Sequence, residues 1–255
     1  MLLANERQRR ICEEVNKNGA VTVSDLVKRF NVSVETVRRD LLKLEKKNML
    51  SRVHGGAIQV THVKPAGDFS VRKDENRALK FELSKIAANL VENGDTIAID
   101  AGTTAMEFAE VLKERFSDLT VVTHALGVFE TLSSVAGINT ILIGGMFEKG
   151  ERAFYGPITT KAYGDIHVSK TFIFPTAVSI STGVSDFNLN LAEVQHMLLK
   201  TADKVIVLAD SSKFEKASLI KLCDVSPEHI YVSDSKLPES IFELYRENNL
   251  TILKG

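Results

Sequence analysis

The chain has 255 residues, 44% of them apolar, with 32 Lys and Arg against 33 Asp and Glu. That is enough apolar material for two folded units, and it excludes a disordered or fibrous chain. Cys12 and Cys223 lie far apart and support neither a disulfide framework nor a zinc site, and no stretch approaches the roughly 18 apolar residues of a membrane span. The start MLLANERQRR lacks the apolar run of a secretion signal, so a protein of the reducing cytoplasm, without membrane partners, is expected.

The charge is unevenly spread. Up to residue 58 there are 12 Lys and Arg against 7 Asp and Glu, and thereafter 20 against 26, so a net +5 is followed by −6. A basic unit of that size is the footprint of nucleic-acid binding driven by counterion release.

In chain order, apolar Ile11, Cys12 and Val15 predict a helix over 5–17, ended by Asn18-Gly19. Val21, Thr22 and Val23 suit a short strand, Ser24 caps a second helix carrying Leu26, Val27 and Phe30, and Asn31 to Ser33 turn into a third. Ser33 caps that third helix. A rotation of about 100° per residue then gathers Val34, Val37, Leu41 and Leu44 on one side and Thr36, Arg39, Lys43 and Lys46 on the other. A charged face opposite an apolar stripe is commonly just a solvated helix surface, but two preceding helices make this a helix-turn-helix. Residues 49–58 follow as a wing around Gly55-Gly56, with Arg52 and His54 set to touch phosphate backbone.

The expected partner is double-stranded DNA. Arginine pairs with a guanine edge through two hydrogen bonds, while lysines and hydroxyls hold phosphates. Arg39 is the expected base reader. Arg38 sits at the flank and suits a phosphate or an internal salt bridge. Glu35, near the helix start, serves the helix dipole or a cytosine amine. The DNA-contacting set is thus Ser33, Glu35, Thr36, Arg38, Arg39, Lys43, Arg52 and His54.

Residues 59–75, polar and carrying Pro65 and Gly67, read as a linker. A helix follows over 76–92. β-rich runs at 96–100, 119–123, 140–143, 171–174, 204–209 and 229–233 then alternate with helical patterns, which predicts a largely parallel α/β sheet in the second domain, 76–255. Ligands of such sheets bind beyond the strands' carboxyl ends. Gly102-Thr103-Thr104 there makes a small anion cradle at a helix start, although a Gly-Thr pair also serves as an ordinary turn and cap. Thr123 and His124 end the second strand, Gly144-Gly145 follow the third, where they also suit a plain turn, and Asp210 to Lys213 follow the fifth. Lys213 there neutralises a phosphate or stands as a plain surface lysine. The remaining histidines, 54, 62, 167, 196 and 229, show no metal spacing, and no metal or cofactor is expected.

These pieces together resemble the DeoR family of bacterial transcription regulators over nearly the whole chain. The match runs through Val32, Ser33, Thr36, Arg38 to Leu41, Leu44 and Glu45, and through the wing from Arg52 to Ala57. It continues through Phe69, Arg72, Asn76, Lys80, Gly102 to Thr104, Val121 to Thr123, Gly144-Gly145, Gly156-Pro157 and Ala209 to Phe214. The resemblance implies a winged helix-turn-helix joined to a Rossmann-like sugar-phosphate sensor similar in fold to ribose-5-phosphate isomerase. Two positions depart from the family pattern. His124-Ala125 stand where Asn-Ser is usual, and Thr176 stands where many members have an aspartate. Threonine is a neutral and weaker partner for sugar hydroxyls, so the effector is a sugar phosphate, another anion, or none.

The leading expectation is a regulator, more commonly a repressor in this family, of a carbohydrate operon. It would act as a dimer or tetramer, since a symmetric operator needs a symmetric protein. A small phosphorylated metabolite would meet Gly102, Thr103, Thr104, Thr123, His124, Gly144, Gly145, Thr176, Asp210 and Lys213. The alternatives are a regulator with a degenerate effector pocket and a sugar-phosphate isomerase with an accessory DNA-binding domain. The isomerase needs a general base, for which Asp100, Asp210 and His124 are candidates; no catalytic residue is expected.

Overall fold

The computed structural model describes residues 3–47, 49–59, 61–63 and 68–255; Pro65 and Gly67, on which the linker expectation leaned, lie outside them. Helix α1 (Ala4–Asn18), strand β1 (Ala20–Thr22), α2 (Val23–Phe30) and α3 (Val34–Lys46) lead into β2 (Ser51–Val53) and β3 (Gly56–Ile58). The three strands form one antiparallel sheet in the order β1-β3-β2, with Gly55 at φ +81° in the tight turn between β2 and β3. Ile11, Val15, Leu26, Phe30, Val37, Leu41 and Leu44 fill a small core between the helices. Arg7 and Gln8 of α1 both reach the buried carboxylate of Asp40 on α3, at 2.6 and 2.7 Å. A charge so buried is tolerated only with such partners, and they fix the tilt of α3 against α1.

Two details differ from the sequence reading. Thr22, not Ser24, caps α2, accepting from the Asp25 amide at 3.1 Å, because β1 begins one residue early and the helix follows it without a gap. Val34, assigned to the apolar stripe, is 45% exposed, whereas Val37, Leu41 and Leu44 of the same stripe are buried.

Segment 59–75 is more than a tether. It holds β4 (Thr61–His62) and α4 (Phe69–Asp74). Next come α5 (Arg77–Ala88), β5 (Thr96–Ile99), α6 (Thr103–Arg115), β6 (Leu119–Thr123), α7 (Leu126–Leu132), β7 (Ile138–Leu142), β8 (Met146–Glu148), β9 (Ala153–Tyr155) and α8 (Pro157–Gly164). The chain continues with β10 (Val168–Ile173), β11 (Ala177–Ser179), β12 (Gly183–Asp186), α9 (Leu189–Leu198), β13 (Ala202–Leu208), β14 (Lys216–Ala217) and β15 (Ile220–Cys223). It finishes with β16 (Ile230–Ser233), α10 (Glu239–Glu247) and β17 (Thr251–Lys254).

Seven of these strands make one parallel sheet in the order β17-β16-β13-β10-β5-β6-β7. Their side chains alternate between two apolar layers. Ile97, Ile99, Val121, Phe172 and Leu208 pack under α5, α6 and α7, whereas Ala98, Val122, Ile173, Val207 and Tyr231 pack under α8, α9 and α10. Both faces are covered, as a parallel sheet requires. The direction of winding reverses between β5 and β10, and a crevice opens there at the carboxyl ends of the strands.

The last helix joins the two halves. Ile241, Leu244 and Tyr245 of α10 lie in one apolar cluster with Ala20 and Ile58. The Asn248 amide donates to the His54 carbonyl at 2.7 Å, and Ser24 donates to Glu247 at 3.2 Å. Meanwhile β14 pairs in parallel with β4, just beyond the wing.

Candidate functional site

The first site is the exposed face of α3 with the wing. Ser33 accepts from the Thr36 amide at 3.2 Å and shares a hydroxyl hydrogen bond with Thr36 at 2.9 Å, which caps the helix at its protruding end. Glu35, Arg38, Arg39 and Lys43 are exposed and make no ion pair among the described residues. In the wing, Arg52 is tied to Glu45 of α3 twice, amide to carboxylate at 2.9 Å and Nε to carboxylate at 3.1 Å. The wing is therefore braced against α3 on one side and, through the His54 carbonyl, against α10 on the other. A groove of about 460 Å³ between α3 and the wing is lined by Arg38, Arg52 and His54. All eight residues expected to touch DNA lie on α3 and its cap or in the wing.

The second site is the crevice at the winding switch, a cleft of about 410 Å³. Its floor is Ala101 and Gly102 after β5, Phe174 to Thr176 after β10, and Asp210 after β13. Gly102 sits at φ +130°, a conformation that favours glycine, and lets α6 begin directly on the cleft. No side chain caps that helix, so its first amides are free to meet an anion. Lys213 reaches across to the Pro175 carbonyl at 3.0 Å, and Lys80 donates to the Arg72 carbonyl. Burial, with the like charge of Lys213 beside it, pushes Lys80 down to about 8, outweighing the opposing pull of Asp210 and Glu75.

Part of the lining is acidic. Arg72 pairs with Glu151 at 2.6 Å, yet burial still raises the Glu151 carboxyl above its ordinary range. Asp186 accepts from Thr176 at 3.0 Å, from the Phe187 amide at 2.6 Å and from Gln195 at 3.0 Å. The same Gln195 nitrogen donates to Asp100 at 3.0 Å. Asp100, wholly buried beneath, is pushed up to about 7 by desolvation. Three polar atoms of cleft-lining residues are buried with no hydrogen-bond partner: Thr104 Oγ1, Arg72 Nε and Gln195 Oε1.

Of the ten residues expected at an effector, Gly102, Thr103, Thr104, Thr176, Asp210 and Lys213 line this cleft together. Thr123, His124, Gly144 and Gly145 do not. They end β6 and β7, on the far side of β5 from the switch, and several of their polar groups are used internally, although His124 Nε2 has no hydrogen-bond partner. Thr123 donates to the Ile99 carbonyl at 2.8 Å, and the Gly144 carbonyl accepts from Thr159 at 2.9 Å. His124 is wholly buried, 3.1 Å from the Tyr163 hydroxyl and 3.5 Å from Asp100, and burial pushes it down to about 3. The sequence reading missed Asn76, Lys80, Arg72, Glu151, Asp186 and Gln195 as cleft residues. The first three were visible as family hallmarks; the rest arrive from separate elements and leave no local signal.

Comparison with known proteins matches the DeoR-like helix-turn-helix domain at residues 7–63 and the DeoR C-terminal sensor domain at residues 75–235. The chain is 30% identical to the L-fucose operon activator of Haemophilus influenzae over 246 residues, covering 96% of this chain and 98% of that protein. It is 32% identical to the transcriptional repressor AccR of Agrobacterium fabrum over 232 residues, covering 90% and 89%. Ribose 5-phosphate isomerase A of Methanocaldococcus jannaschii superposes with a TM-score of 0.40 at 17% identity over 55% of each chain, a likeness too slight to bear on chemistry. With both halves matched in order along a single chain, this protein belongs to the DeoR family of transcriptional regulators.

Proposed function

We propose that this regulator grips operator DNA with α3 and its wing, and that a phosphorylated sugar in the cleft sets that grip, most simply as a repressor of a carbohydrate operon. The reading divides the chain into a DNA-binding unit at 1–58, a connecting segment at 59–75 and a sensor at 76–255. Assembly into a dimer or tetramer in the cytoplasm follows from the two-fold symmetry of operators. The observation that carries the sensor half is the uncapped start of α6 in a cleft with Lys80 and Lys213, where a phosphate finds backbone donors and positive charge together. The unpartnered Thr104, Arg72 and Gln195 atoms support a polar occupant.

A route from cleft to wing also supports the reading. Directly after Lys213, the Phe214 ring packs 5.4 Å from Tyr245 of α10, and the next strand, β14, pairs with β4. A ligand that pulls on Lys213 therefore acts on α10, which packs against the DNA-binding unit, and on β4 of the connecting segment, which is the physical linkage a coupling free energy needs.

The isomerase alternative has little support. Asp100 and His124 are wholly buried and do not line the cleft, while Asp210 is engaged by the amide and hydroxyl of Ser212. The test is salt-sensitive retention of genomic DNA fragments by the purified protein, followed by titration with sugar phosphates. Release or tightening of a retained fragment is the expected result. No retention at any salt concentration refutes the DNA half, and turnover of ribose 5-phosphate refutes the preference for a pure regulator.

A further inference from the structure

We infer that the cleft is built for a phosphorylated sugar carrying a free amino group, whose ammonium is held by Asp186, Gln195 and Glu151. This rests on the sugar-phosphate reading above and sharpens it. Apart from the guanidinium of Arg72, which is paired to Glu151, this part of the lining offers acceptors. Both protons of the Gln195 amide are used, one toward Asp100 and one toward Asp186, which orients Oε1 as an acceptor; it is buried, in a residue only 3% exposed, and has no donor. Asp186 has its Oδ1 filled by Thr176 and Phe187, whereas Oδ2 receives Gln195 alone and keeps a lone pair for the cleft. Glu151 gives one oxygen to Arg72, leaving the other.

The charge balance there points the same way. Asp186 meets no cation at ion-pair distance among the described residues, and its charge bears on both Asp100 and Glu151. A hydroxyl brings one donor to such a place and leaves the repulsion standing. An ammonium brings three donors and a positive charge, satisfying three acceptors and the excess negative charge at once. Thr176 contributes by holding Asp186: the carboxylate missing at position 176 is replaced by one reached through its hydroxyl.

The test is calorimetric titration of the full-length protein with glucosamine 6-phosphate and galactosamine 6-phosphate, with their N-acetyl and their hydroxyl counterparts, and with inorganic phosphate. We expect at least one amino sugar phosphate to bind tenfold or more tightly than its hydroxyl and N-acetyl counterparts. Asp186→Asn should collapse that ratio to within about threefold, with inorganic phosphate bound no more weakly than by the wild type, since a negative charge has left the cleft. Hydroxyl or acetylated sugar phosphates binding as tightly as the amines, or an Asp186→Asn protein with the ratio intact, overturns the amine assignment and leaves the sensor reading standing. Failure of every phosphorylated sugar to bind overturns both. Circular dichroism of the variant confirms that the fold is retained.

Discussion

Leu244 is the residue on which the docking of the two halves turns. Its side chain is wholly buried, belongs to the cluster containing Ala20 and Ile58, and lies so close to Gly56 that a Cβ built there would sit 3.1 Å from its Cδ1. Leu244→Ala removes three carbons, roughly 2.4 kcal/mol of transfer free energy at about 0.8 kcal/mol each. The braced wing and the sheet beneath limit collapse, so the cavity term raises the expected loss to about 3 to 4 kcal/mol. The assay is urea unfolding followed by two probes. All four tyrosines, residues 155, 163, 231 and 245, lie in the sensor half and there is no tryptophan, so tyrosine fluorescence reports that half alone while far-UV circular dichroism reports both. Wild type should show coincident transitions. In the variant the transitions should separate, and the response of DNA affinity to a cleft ligand should weaken. A loss under about 1 kcal/mol with transitions still coincident would refute the idea that this seam couples the halves.

Arg39→Ala should weaken specific operator binding by about 1 to 3 kcal/mol and random duplex far less, measured by fluorescence anisotropy at fixed salt; since Arg39 is exposed and makes no ion pair among the described residues, thermal stability should barely move. Equal losses on both duplexes refute base reading. Thr103→Ala and Lys213→Ala should leave ligand-free operator affinity intact and shift the effector dose-response by tenfold or more, and an unchanged curve would show that the occupant binds elsewhere. Glu215, 2% exposed, is pushed up from 4.5 to about 7 by burial, so its contribution to stability is complete below pH 4.5 and is lost as pH rises through about 7. That swing is worth roughly 3 kcal/mol. Denaturant melts across this window should flatten in Glu215→Gln, with a residual slope from Asp100, which titrates in the same direction. An undiminished slope refutes the assignment to Glu215.

What the sequence revealed follows from the range over which each signal acts. Helix α3, its Ser33 cap and its basic face rest on residues within four positions of each other, and they appear as read. The cradle at Gly102 to Thr104 was legible because glycine and a helix start directly follow a strand. The expectation for Thr123, His124 and Gly144-Gly145 applied the same strand-end rule, but the rule works only at the winding switch, and strand order is a tertiary property that no local pattern carries. Asp186 and Gln195 meet through β12 and α9 and had no sequence cue. Strand β4, two residues long and paired with residues 216 and 217, has no periodicity to detect, which is why its segment read as a tether.

The contact between Ser24 and Glu247 spans 223 positions of chain. At a synthesis rate of about 5 to 20 residues per second, the second partner leaves the ribosome roughly 10 to 45 seconds after the first. A newborn molecule thus displays its DNA-reading head well before the helix that steadies it exists. For that interval the head lacks the contact with the last helix through which, on the function proposed above, a metabolite would govern it.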